Sequence, residues 1–199
     1  MSNAIYILGQ PTSWLEIAAM LSGVAGVWLT MREKIWCFPV GILNVTLYAI
    51  LFFSPDVRLY ADAILQCLYI LLLIYGWYKW SDRNKKQKVI LPSYINKQTG
   101  IRLAIVLVLS SLAFSYFLVN FTNASYPRLD SVLTCASLCA QWMIARKIIE
   151  NWIVWIIVNL VYIPLYVSKQ LPLTAILYSI FLILAVRGYL EWKKHIYRA

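Results

Sequence analysis

Five residues between Trp152 and Tyr166 carry the densest recognition chemistry in this 199-residue chain. Trp152, Trp155, Asn159, Tyr162 and Tyr166 follow at intervals of three, four, three and four. At about 100° per residue, that spacing puts all five on one face of a helix. Two indoles, a carboxamide and two phenols supply flat π faces and hydrogen-bonding groups, which suit holding a small ligand more than making or breaking bonds. Sparser faces accompany it. Trp36, Asn44 and Tyr48 share one, Asp62, Gln66 and Tyr69 another, and Thr174, Tyr178 and Phe181 a third, while Thr134 and Gln141 lie two turns apart on a fourth. Gln66 and Gln141 could each read a sugar hydroxyl or a carboxamide. Each residue also has a packing reading: Trp and Tyr form interfacial belts, and Asn or Gln can tie two helices together.

Bond-making chemistry finds little support. The phosphate loop GxxxxGK[ST] and the motifs HExxH and GxSxG do not occur, and the one histidine, His195, sits in a basic tail. Cys37, Cys67, Cys135 and Cys139 lack CxxC or metal-ligand spacing and read as small packing residues. No lysine interrupts residues 173–192, which excludes a retinal Schiff base there. The expectation is therefore a non-enzyme without metal or cofactor.

The elements that must position these residues are membrane helices. The chain is 62% hydrophobic and 13% charged with mean hydropathy +0.70, too apolar for a soluble domain of this size. Apolar runs predict seven spans, near residues 14–31, 35–53, 59–80, 101–120, 129–145, 152–167 and 173–192. The N-terminal 1–13 lacks a cationic lead or cleavage signal and reads as a short extracytoplasmic segment. Residues 14–80 form a first three-helix bundle, 81–100 a polar linker, 101–120 a connecting helix, 129–192 a second three-helix bundle, and 193–199 a tail.

The two bundles repeat one another. Trp28 and Arg32, then Asn44, then Gly76 and Trp80 recur as Trp142 and Arg146, Asn159, and Gly188 and Trp192. One connecting span between them makes the repeat parallel, so the fold expected is all-α integral membrane, a 3+1+3 arrangement of SWEET-like type with its site between the bundles. Fifteen of the 18 Lys and Arg residues fall on one side, all except Arg58, Arg128 and Lys169. The positive-inside rule then puts the N-terminus outside and the C-terminus, with the linker, in the cytoplasm. Juxtamembrane charge of this kind explains the net +10 without nucleic acid.

Arg32, Trp36, Phe38, Pro39, Gly41, Asn44 and Tyr48, then Leu59-Tyr60-Ala61-Asp62-Ala63 and Gly76-Trp77-Tyr78-Lys79-Trp80, resemble the PnuC family of bacterial vitamin transporters. The second half is similar in Asn151-Trp152-Ile153-Val154-Trp155 leading to Asn159, and in Thr174-Ala175 leading to Gly188-Tyr189 and Trp192. The resemblance spans Trp14 to Lys193. It implies import of nicotinamide riboside by facilitated diffusion across the bacterial inner membrane, a homotrimer, and trapping by a cytoplasmic nucleoside kinase. That substrate is a flat pyridinium cation on a ribose, matched by aromatic faces and amides. Trp152, Trp155 and Tyr162 would stack on the ring, Asn159 and Asn44 bond the carboxamide or ribose, and Gln66, Tyr69 and Gln141 read the sugar. Trp36 and Tyr178 complete the set, and Asp62 is a candidate for coupling or substrate contact. Thiamine and riboflavin are alternatives within the family, a non-transporting sensor or assembly subunit one outside it. With no phosphate-binding cluster inside the spans, a mononucleotide should be rejected.

Overall fold

In hydrocarbon no water satisfies backbone polar groups, so each apolar run must close its hydrogen bonds within itself as a helix. The computed structural model describes residues 5–7, 10–53, 60–81, 91–122 and 126–198. Seven helices account for most of them: α1 (Trp14–Met31), α2 (Cys37–Phe53), α3 (Tyr60–Ser81), α4 (Lys97–Phe121), α5 (Pro127–Ala145), α6 (Asn151–Ser168) and α7 (Pro172–Arg198). A short antiparallel hairpin, β1 (Ile5–Ile7) with β2 (Gln10–Thr12), precedes them. Its three-residue runs are too short to register as strands by alternation.

Local chemistry sets several boundaries. Ser13 caps α1, its Oγ accepting the Glu16 N–H at 3.1 Å. Asn96 caps α4 by accepting the Thr99 N–H at 2.7 Å, so that helix begins at Lys97 instead of near Ile101. Pro127 opens α5, where its missing N–H costs nothing. The expected tail at 193–199 continues α7 as helix through Arg198. The expected linker 81–100 lies partly outside the described residues, but its end is anchored. Ser93 exchanges backbone hydrogen bonds with Lys147 and Ile149, each 3.0 Å, and Glu150 Oε2 accepts the Ile95 N–H at 3.0 Å.

Helix packing closes a ring. α1 packs on α2, α2 on α3, α3 on α5, α5 on α6, α6 on α7, and α7 back on α1, with α4 outside against α5. α5 is covered by neighbours along most of its length, with Ser131, Leu133, Ala136, Ala140, Met143 and Ala145 among its buried residues. It can therefore carry small and polar residues that a lipid-facing helix could not. By length and composition alone, α1, α4, α6 and α7 could each cross a membrane, and α2 is a shorter apolar helix.

The duplication is repeated atom by atom in the turns. Glu33 and Lys147, 114 positions apart, both adopt left-handed backbone (φ 53° and 52°). The Glu33 N–H bonds Thr30 O and the Lys147 N–H bonds Ile144 O; Phe38 and Trp152, the second residues of α2 and α6, donate to Ile35 O and Ile149 O. Arg32 lies over Trp28 at 5.8 Å and Arg146 over Trp142 at 5.2 Å, edge anchors of the same design. This register corrects one expectation. With Phe38 matched to Trp152, Asn44 falls opposite Val158 and Asn159 opposite Val45, so the two amides are not equivalent positions.

Candidate functional site

A cavity of about 520 Å³ runs inside the helix ring, within the range of about 300–1,000 Å³ typical of small-molecule sites. Asn44, Gln66, Tyr69, Gln141, Trp152, Trp155, Asn159, Tyr162 and Tyr178 all line it. Trp36 does not. It sits in the turn before α2, 67% exposed, because the helix begins one residue later and the indole is turned outward. Asp62 occupies the first turn of α3, and its side chain lies outside the described residues.

At one end the cavity has a sealed floor. Phe38 meets Trp80 edge-on at 5.0 Å, Trp80 meets Trp192 at 6.3 Å, and Trp192 meets Trp152 edge-on at 5.4 Å. Phe38, Trp152 and Trp192 are almost wholly buried. Two glycines let these rings close. A Cβ on Gly188 would stand 2.6 Å from Trp152 Cζ2, and one on Gly76 would strike the Phe38 ring, with Cζ at 2.9 Å. The expected stacking residue Trp152 is thus committed mainly to Trp192 and Gly188, with its repeat partner Phe38 in the same role. Behind the floor, Lys147 Nζ lies 4.4 Å from the Trp80 ring centre and 2.6 Å from Glu33 Oε2, and His195 contacts the other Glu33 oxygen.

The middle holds the amides. Asn44 donates to Ala19 O at 2.5 Å and lies 3.4 Å from Ser22 Oγ, so its NH₂ is spent tying α2 to α1. Asn159 and Gln141 are buried against the cavity without a hydrogen bond to any described residue. Their groups are available to a ligand. Trp155, half-buried, lines the same cavity.

The opposite end is lined by tyrosines. Tyr48 stacks on Phe52 at 5.8 Å, and their repeat partners Tyr162 and Tyr166 stack at 5.5 Å. Tyr178 meets Tyr162 at 5.0 Å and Tyr166 at 4.9 Å. Tyr69 sits beside Ser137 and Tyr162 beside Thr134. Glu16, Ser22, Ser137, Tyr48, Tyr166 and Phe181 also line the cavity. The face patterns already contained the last three. Nothing in the periodicity marked Glu16 beyond its place in a first turn.

The sequence profile of the family described as nicotinamide mononucleotide transporter matches residues 13–194, nearly the whole ring. The chain belongs to this family. It is therefore a multi-pass membrane protein of a transporter family. Among relatives, the nicotinamide riboside transporter PnuC of Escherichia coli is 24% identical over 209 residues, covering 92% of this chain and 87% of its own. The riboflavin/roseoflavin transporter RibM of Streptomyces davaonensis is 24% identical over 195 residues, covering 96% and 90%. The crystal structure of the vitamin B3 transporter PnuC superposes with a TM-score of 0.73 at 25% identity, covering 93% of this chain and 83% of that one.

Proposed function

We propose that this protein imports nicotinamide riboside across the bacterial inner membrane by facilitated diffusion. The observation that carries the reading is the cavity itself, an aromatic chamber whose unpartnered amides, Asn159 and Gln141, share the lining with Trp155. A pyridinium over Trp155 and the Tyr162–Tyr178 faces gains about 0.5–2 kcal/mol, enough to hold a substrate that must later be released. The amides meet its carboxamide and ribose, with Gln66 and Tyr69 facing the sugar. Asp62 remains a candidate contact.

The ring supports a 3+1+3 parallel repeat of SWEET-like type, with α1–α3 and α5–α7 as the moving bundles and α4 as the tether. The positive-inside rule puts the Glu33–Lys147 end and the C-terminus in the cytoplasm and the N-terminus outside. The sealed floor is then the cytoplasmic gate, and transport alternates its opening with closure of the tyrosine-lined end. Trapping by a cytoplasmic nucleoside kinase makes uptake directional, and the resemblance to PnuC favours a homotrimer. Mononucleotide is excluded because no Lys or Arg among the described residues lines the cavity, leaving a phosphate uncompensated.

Calorimetric titration of the purified protein tests the substrate. Nicotinamide riboside should bind more tightly than thiamine, riboflavin or the mononucleotide. Tighter binding of riboflavin would move the protein to the specificity named for RibM.

A further inference from the structure

Glu16 is the one charged side chain among the described residues lining the cavity. It stands on the first turn of α1 at the tyrosine-lined end, an electrostatic neighbour of Tyr48. The residues around it are apolar or neutral, and it has no ion pair with any described Lys, Arg or His. Its backbone is fixed by Ser13, whose Oγ accepts the Glu16 N–H at 3.1 Å. The spacing Ser13-x-x-Glu16 is that of a capping box, so a purely local role is the competing explanation. Capping requires only an acceptor at this position, which glutamine supplies equally. It does not require a negative charge facing a cavity.

We infer that Glu16 is a specificity-determining residue, the counter-charge that selects cationic over neutral forms of the substrate at the tyrosine-lined end of the cavity. The inference rests on the proposed function. An unpaired carboxylate among aromatic rings is poorly screened, so its attraction for a passing cation exceeds that of the same pair in water. The rings and the carboxylate act on the same charge. The cation lies over π faces while the carboxylate neutralises it, and an anionic ligand is repelled at entry.

The test is calorimetric titration with nicotinamide riboside, a cation, and its dihydro form, which has the same groups and a neutral ring. The parent protein should prefer the cation. In Glu16→Gln the cation should bind about tenfold more weakly, the loss expected for a nearby charge in partly wet surroundings. The dihydro form should bind as before, and Glu16→Asp should keep part of the preference. Ser13→Ala, which removes the cap and leaves the charge, should lower the melting temperature and retain the preference. An undiminished preference in Glu16→Gln overturns the inference and leaves the transport reading intact. Loss of preference in Ser13→Ala assigns the effect to capping and also overturns it. A parent protein that binds neither form overturns both readings.

Discussion

Lys147 Nζ lies 2.6 Å from Glu33 Oε2, and the two residues occupy the same position in the two halves of the chain. A duplicated turn has become complementary, acid in one copy and base in the other. The pair joins the ends of α1 and α5, with Lys147 also over Trp80 from α3 and His195 from α7 on Glu33. Both side chains are largely buried, 8% and 12% exposed.

Removing one partner of such a pair leaves the other charge buried alone. Glu33→Gln should therefore cost about 3 kcal/mol of stability, seen as a lower melting temperature in detergent. The exchanged double variant Glu33→Lys/Lys147→Glu should recover part of it. An unchanged melting temperature in the single variant would mean that the pair contributes nothing to closure.

Gly188 is needed for space. Adding a methyl there places carbon 2.6 Å from the Trp152 ring, and neither the ring, held by Trp192, nor the helix backbone can retreat easily. Gly188→Ala should destabilise by about 1–3 kcal/mol. Gly188→Ala with Trp152→Ala should be less damaging than the sum of the two single changes, as a double-mutant cycle of melting free energies would measure.

Asn44 and Asn159 should separate by phenotype. Asn44→Ala removes the link to Ala19 O, so it should lower stability by about 1 kcal/mol with modest change in affinity. Asn159→Ala should instead weaken nicotinamide riboside binding about tenfold with little change in melting temperature, since its amide serves the ligand. The reverse pattern would exchange their roles.

The doubled scaffold was legible because its markers are residue types with few substitutes: a glycine facing an aromatic ring, and an arginine one turn after a tryptophan. The face of α6 was legible for the same reason, since spacing alone determines which side chains are neighbours on one helix. What spacing cannot give is the neighbour beyond the helix. Trp36 looked like part of the α2 face, yet the helix starts at Cys37 and the indole turns outward. Asn44 and Asn159 looked equivalent because each sits mid-span, and only the matched turns at Glu33 and Lys147 show the one-residue offset. Glu16 carries no signal in the face patterns, since an acid in a first turn is commonly explained by the helix N-terminus alone. Its side chain also lines the cavity, which depends on α2, α6 and α7 closing around it.

Flux through the cavity tests the transport claim most directly. Vesicles containing the purified protein, ATP and a nicotinamide riboside kinase should accumulate labelled nicotinamide riboside well above protein-free vesicles. Excess unlabelled nicotinamide riboside should abolish that uptake, and the mononucleotide should not. Accumulation no greater than in protein-free vesicles, with the protein folded and the kinase active, would contradict the account.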